Sequence, residues 1–363
     1  MPASIILLVA ALPTALLLAE FALERRAARR REIAEKAELP YYSWAYYTRS
    51  GARFAFWRGY LKLEMHPALT YRNAPNQRTP YFSTNSRGFR GKELSSDGSC
   101  KKVIALMGGS TAFGTGLASD EQTLAAQLER TMAGVEVANA AVIGHRSGQE
   151  LAYIAHELLE LDPRLILTLN GWNDFSQYWL SDFKHRPLGF NAFELIDSEV
   201  ERSQRMLSES LVSRLLGLHH VLFPLLEREV RAALRRRGER EDAELQGTDW
   251  KIPLLAESYA ANVVKMRALA ADAGCRFLCV LQPVRAAADG RQKDLPARYA
   301  EFRRLAREKM AGRGIPHMDL NDHQDELPDS LFLDLTHIKP AGQEIMARLI
   351  ARKIRELDLI ERP

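Results

Sequence analysis

At 363 residues the chain can hold one large domain or two smaller ones, and with 46% apolar and 26% charged residues it can bury a sizeable core. A net charge of +4 offers no electrostatic case for nucleic acid as a partner. Three cysteines, Cys100, Cys275 and Cys279, are odd in number and lack metal-ligand spacing, so neither a disulfide framework nor a zinc site is expected.

The N-terminus is the compositional outlier. Ile5 to Ala19 carries no charge, and apolar character resumes from Phe21 to Leu23. This approaches the ~20 residues of a membrane-spanning helix. No Lys or Arg precedes the run and no small-x-small cleavage site follows, so it reads as a retained anchor, with a cleaved export signal as the alternative. Arg25, Arg26, Arg29, Arg30 and Arg31 follow it. By the positive-inside tendency they favour a cytoplasmic catalytic domain, an exported or periplasmic one being the rival. Residues 1–38 are therefore expected to form the anchor helix and its charged helical continuation. Residues 39–100 form an aromatic-rich extension, with Tyr41, Tyr42, Trp44, Tyr46, Tyr47, Phe54, Phe56, Trp57 and Tyr60, which pack on the domain or sit at a membrane interface. The segment Asn85-Ser86-Arg87-Gly88-Phe89-Arg90-Gly91 is rich in turn formers.

From residue 101 the pattern alternates. Short apolar runs at Val103–Met107, Val135–Val142, Leu165–Leu169, Arg276–Leu281 and near His317–Leu320 predict strands. Stretches with helical spacing lie at Thr123–Met132, Ser147–Leu161, Tyr259–Ala273, Tyr299–Ala311 and Pro340–Leu357. Strands and helices in this order predict an α/β fold: a three-layer α/β/α sandwich on a mostly parallel, roughly five-stranded sheet. Cys275 and Cys279 fall in the fourth strand region and read as core. Residues of about 180–250 interrupt the alternation. Their amphipathic stretch, Leu211 to Arg237, is broken at Pro224 and reads as a helical insertion: a cap over the site, a surface elaboration, or a face resting on the membrane. Arg235, Arg236, Arg237 and Arg240, like the first arginine cluster, read as a solvated helix face or as a contact for anionic lipid.

Two motifs carry the chemistry. Gly108-Gly109-Ser110-Thr111 directly follows the first core strand, and Asp334-Leu335-Thr336-His337 precedes the last helix. A serine hydroxyl is a poor nucleophile unless a base takes its proton and a further group orients that base. Ser110, His337 and Asp334 supply one candidate for each role, and an Asp three residues before a His can meet it within one turn-like segment. Gly171-Trp172-Asn173-Asp174 follows the third strand, and Asn139 to Gly144 closes the second. All four segments should meet at one edge of the sheet, outside the carboxyl ends of the strands. Trp172 and Phe175 are candidates to line a substrate pocket, with helix packing as the alternative. Asp174 reads as structural. His145, His156, His185, His219 and His220 have no partner identifiable from the sequence.

Over roughly residues 101–360, excluding the insertion, these blocks resemble the SGNH (GDSL-type) hydrolase family. Gly108-Gly109-Ser110 stands where the family usually has Gly-Asp-Ser, so Gly109 departs from the commonest pattern at a position outside the catalytic triad. Gly144 matches the glycine of the second block, Gly171-Trp172-Asn173-Asp174 matches the third unchanged, and Asp334 and His337 match the last. The turn-rich segment before residue 101 looks like an extension found in some bacterial members. The resemblance implies a flavodoxin-like sandwich and a serine esterase or lipase that forms an acyl-enzyme, with Ser110 as nucleophile, His337 as general base and acid, and Asp334 as its orienting carboxylate. It implies an oxyanion hole from the Ser110 and Gly144 backbone N–H groups and the Asn173 amide. No metal or cofactor is expected. The expected partners are a small-molecule, glycan or lipid ester and, through the N-terminal helix, a membrane. An O-acyltransferase using the same site and a membrane-tethered binding protein without activity are the alternatives.

Overall fold

The computed structural model describes residues 61–95, 102–176, 251–286 and 294–360. These fall in one compact unit, residues 40–190 with 249–363, and a second unit, 1–39 with 191–248, lies outside the described residues. The expected anchor, its charged continuation and the insertion are therefore not among the elements below. Among the described residues no helix is long and apolar enough to cross a membrane.

Five strands build the core sheet: β3 (Lys102–Gly108), β4 (Val135–Asn139), β5 (Leu165–Asn170), β6 (Arg276–Leu281) and β7 (His317–Asp319). Their spatial order is β4-β3-β5-β6-β7, and every pairing is parallel. Both faces of such a sheet must be covered, which is why the central strands β3, β5 and β6 are mostly apolar. Successive side chains point to opposite faces. Ile104 and Leu106 pack with Leu124 and Leu128 of α2 (Leu124–Thr131) and with Met346, Ile350 and Ile354 of α7 (Pro340–Glu356). Ala105 and Met107 face the other way, toward Tyr153 and Ile154 of α3 (Ser147–His156), Tyr259 and Val263 of α5 (Lys251–Asp272), and Tyr299 and Phe302 of α6 (Leu295–Ala311). Each such side chain, when fully buried, contributes about 1.5–3 kcal/mol. The expected α/β/α sandwich is the observed one.

The chain steps from β3 outward to β4, then back across to β5 on the other side. This reversal opens a crevice at the carboxyl ends of β3 and β5, where doubly wound folds place their sites. Two short helices start at that edge, α1 (Ser110–Phe113) and α4 (Trp172–Phe175).

The extension contributes an antiparallel hairpin of β1 (Leu63–His66) and β2 (Thr70–Asn73), which periodicity in the sequence did not announce. Its turn-rich segment docks on the sheet, where the Arg90 N–H donates to Asn139 O at 3.0 Å. The Arg90 guanidinium is buried and fully used. It bonds Asp120 Oδ1 at 2.8 Å, Gly114 O at 2.7 Å, Phe113 O at 3.1 Å, Tyr81 O at 3.2 Å and Ser119 O at 3.3 Å. It also lies 5.0 Å from the centre of the Phe113 ring. A cation thus sits on the carbonyls that end the helix begun by Ser110, a favourable place for positive charge.

Candidate active site

Ser110 opens α1 immediately after β3 and keeps partial access to solvent. The residues that face it come from a closed loop before α7. Phe332 and Ile338 form an antiparallel bridge, the Leu333 N–H donates to His337 O at 2.8 Å and the Lys339 N–H to Leu331 O at 2.8 Å. Pro340, suited to a first helical turn, then starts the helix. Within this loop the Thr336 and His337 N–H groups both donate to Asp334 Oδ1 at 2.9 Å. The other carboxylate oxygen, Oδ2, lies 2.7 Å from His337 Nδ1. His337 Nε2 lies 2.9 Å from Ser110 Oγ.

The carboxylate accepts only, so Nδ1 carries the ring proton and Nε2 is left to accept from the serine hydroxyl. Burial by itself would raise the Asp334 pKa. The facing imidazole and the two backbone donors outweigh it and hold the carboxyl at about 2. Asp334 is therefore ionised at neutral pH. The loop is tied to the helix that Ser110 opens by Thr111, whose hydroxyl donates to Thr336 O at 3.2 Å and accepts from Gln282 Nε2 at 3.2 Å.

The three expected oxyanion donors lie around the same edge. Among the described residues neither the Ser110 nor the Gly144 amide donates to a protein acceptor. Gly144 is exposed, with φ of 78°. Among the described residues the Asn173 amide donates one hydrogen bond, Nδ2 to His145 O at 2.8 Å, which leaves its second hydrogen available there. Here Gly109 acquires a physical reason. A Cβ at that position would lie 2.2 Å from Asn173 Nδ2, so a side chain there would displace the amide.

The aromatic residues divide. Trp172 is partly buried and stands edge-on to Tyr299, with ring centres 5.2 Å apart. Phe175 corrects the expectation that it lines a pocket: it has 0% exposure and packs between Tyr299 and Phe302 at 5.4 and 5.8 Å. Its spacing on a one-turn helix sends it into the core. Asp174 is buried and receives the Ser147 N–H, at 3.2 Å to Oδ2, and the Ser147 hydroxyl. It ties the third block to the start of α3, and burial drives its pKa up. Cys275 and Cys279 are buried thiols, raised by burial to about 11 and about 12.

His145, which had no partner identifiable from the sequence, meets Tyr71 twice. Its Nε2 donates to Tyr71 O at 2.9 Å, and its ring stands edge-on to the Tyr71 ring at 5.1 Å. Burial lowers its pKa to about 4, so it is neutral. Tyr71 and Arg90 are the site neighbours that sequence reasoning passed over. Arg90 lay in a segment already marked by its turn residues, whereas Tyr71 had no local signal. Among the described residues no group of three His, Cys, Asp or Glu side chains could hold a metal ion.

No protein-family model matches the chain, and no curated protein matches it. Solved structures do resemble it at low identity. A GDSL-like lipase from Bacteroides thetaiotaomicron is 14% identical, with a TM-score of 0.42 over 73% of this chain and 93% of that one. A lipase/acylhydrolase from Enterococcus faecalis is 17% identical, with a TM-score of 0.40 over 70% and 96%. A catalytic mutant of an acetylxylan esterase from Geobacillus stearothermophilus is 13% identical, with a TM-score of 0.42 over 70% and 95%. Likeness at this level leaves the chemistry to be read from this chain's own side chains. Those side chains set a serine, a histidine and an aspartate in one hydrogen-bonded line at the carboxyl edge of a parallel sheet.

Proposed function

We propose that the protein is a serine esterase that hydrolyses a carboxylic ester through an acyl-enzyme. The observation that supports this reading is the unbroken line from Ser110 Oγ through His337 to Asp334, at 2.9 and 2.7 Å. Ser110 Oγ attacks the ester carbonyl carbon while His337 Nε2 takes its proton. The tetrahedral oxyanion is met by the Ser110 and Gly144 N–H groups and the Asn173 amide. Collapse breaks the bond to the leaving alcohol, which receives the proton from His337. Water then attacks the acyl-enzyme with His337 again as base, releasing the acid and restoring the Ser110 hydroxyl. Asp334 stays ionised throughout and stabilises the imidazolium that forms twice.

The test is hydrolysis of p-nitrophenyl esters from acetate to palmitate by wild type and Ser110→Ala. Loss of about 10⁴–10⁶-fold in kcat is expected, and the chain-length optimum defines the acyl group. Equal activity in the variant would sink the proposal. Acyl-enzyme that forms but turns over only with an added alcohol would point to the acyltransferase.

A further inference from the structure

We propose that Tyr71, a residue of the hairpin outside the α/β core, is a positioning residue of this active site, holding the peptide that carries the Gly144 oxyanion donor. The inference rests on the serine-hydrolase reading and adds a part to it that the sequence blocks do not contain.

The Tyr71 hydroxyl donates to Ile143 O at 2.9 Å. That carbonyl and the Gly144 N–H are the two ends of one peptide unit. The unit is planar and trans, so its carbonyl and N–H point in opposite directions. Fixing the carbonyl on Tyr71 therefore fixes where the N–H points.

The peptide needs such a constraint. Gly144 has φ of 78°, and glycine accepts either sign of φ with little steric cost. The plane before a glycine in a turn can therefore rotate by half a turn without a clash to stop it. Rotation would present a carbonyl oxygen, a lone pair, where the oxyanion forms. The phenol stands directly beside this plane, because a Cβ on Gly144 would lie 2.7 Å from the Tyr71 hydroxyl. A hydrogen bond on the carbonyl also polarises the amide and strengthens its N–H as a donor.

Tyr71 reaches a second donor through its main chain. Its carbonyl accepts from His145 Nε2 at 2.9 Å, and the His145 carbonyl accepts from Asn173 Nδ2 at 2.8 Å. One residue thus stands behind both Gly144 and Asn173. The hairpin is held against α3 independently, by Arg72, which pairs with Glu64 at 2.7 Å and Glu157 at 3.2 Å.

Tyr71→Phe removes the hydroxyl and keeps the ring and main chain. In the full-length protein, kcat on the best p-nitrophenyl ester should fall about ten- to a hundredfold, less than the ~10²–10³ for outright loss of a donor. KM should stay within about twofold, because the donor is engaged only in the transition state. Affinity for an alkyl boronic acid, which forms a tetrahedral adduct on Ser110 and does not depend on knowing the ester, should fall in parallel. Arg72→Ala is the control: it loosens the same hairpin and lowers Tm, but it leaves the Tyr71 hydroxyl in place, so its losses of kcat and boronate affinity should be smaller than those of Tyr71→Phe. Wild-type kcat and boronate affinity in Tyr71→Phe, or losses no larger than in Arg72→Ala, would overturn the role of Tyr71. Ser110→Ala as active as wild type, with unchanged boronate binding, would instead overturn the hydrolase reading beneath it.

Discussion

Two carboxyl groups at the same edge of the sheet meet opposite fates. Asp334 and Glu150 are both largely withdrawn from water, and burial is the strongest influence on each, raising the pKa. Asp334 nevertheless ends at about 2, because an imidazole and two backbone N–H groups face it. Glu150, on α3, ends well above the ordinary carboxylate range. Asp174 adds a like charge nearby, and among the described residues only the Asn170 amide donates to it. Its Oε1 has no partner among the described residues. Around this pair lie Tyr259, which donates to Asn170 Oδ1 at 2.7 Å, and Asn262, which donates to Ser147 Oγ at 3.0 Å. Burial alone therefore does not decide the charge of an acid; the number of donors and cations facing it does. One group is held ionised beside His337, while burial and a neighbouring carboxyl favour the protonated form of the other.

The contrast can be broken most severely at Asp334. Asp334→Asn keeps the shape but offers an N–H to His337 Nδ1, which favours the wrong tautomer. For the proposed esterase a loss of about 10⁴ in kcat is expected, measured on the p-nitrophenyl ester series. Retention of activity within tenfold would show that the carboxylate charge is not needed.

Gly109→Ala acts on the same corner without touching the triad. The new Cβ must move the Asn173 amide from its place beside the nucleophile. A loss of about 10²-fold in kcat at little change in Tm is expected, the cost of one oxyanion donor. An equal loss of stability would mean instead that the turn itself has collapsed.

The smallest effect sharpens the comparison from the other side. Glu150 has a folded pKa above its unfolded value near 4.5. The unfolded chain therefore gives up its proton first, and stability is lost as pH rises through the range between the two values. Asp334 runs the other way: its contribution is complete above the unfolded value of 3.8 and is lost as pH falls through about 2. Glu150→Gln, still able to accept from Asn170, should raise Tm at pH 7.5 and change it little at pH 4. A fall in Tm at pH 7.5 would show that the carboxyl contributes something the amide cannot.

Much of the frame was legible in the residues. Apolar runs of strand length alternating with amphipathic stretches predict the parallel sheet, and β5 and β6 lie within one residue of their expected bounds. β4 stops at Asn139, three residues short of Val142, because the chain there leaves the sheet to form the Gly144 turn. Helix α5 is already formed at Lys251, the first described residue of that segment and eight residues before the expected Tyr259. Phe175 was misplaced because the spacing on a one-turn helix cannot say which side is the crevice.

The sequence by itself determined what is local: strand and helix periods, the glycine turns, and an Asp and a His close enough to meet within one loop. It also specified which residue types could act as nucleophile and base. Only the tertiary structure decided what depends on residues far apart in the chain. Ser110 and His337 are separated by 227 positions, and Tyr71 and Ile143 by 72. The donors that set the charge of Asp334 and Glu150 become countable only once the chain is packed. A hydrogen bond between distant segments leaves no periodicity in a sequence, so the bond from the Tyr71 hydroxyl to Ile143 O could be read only from the fold.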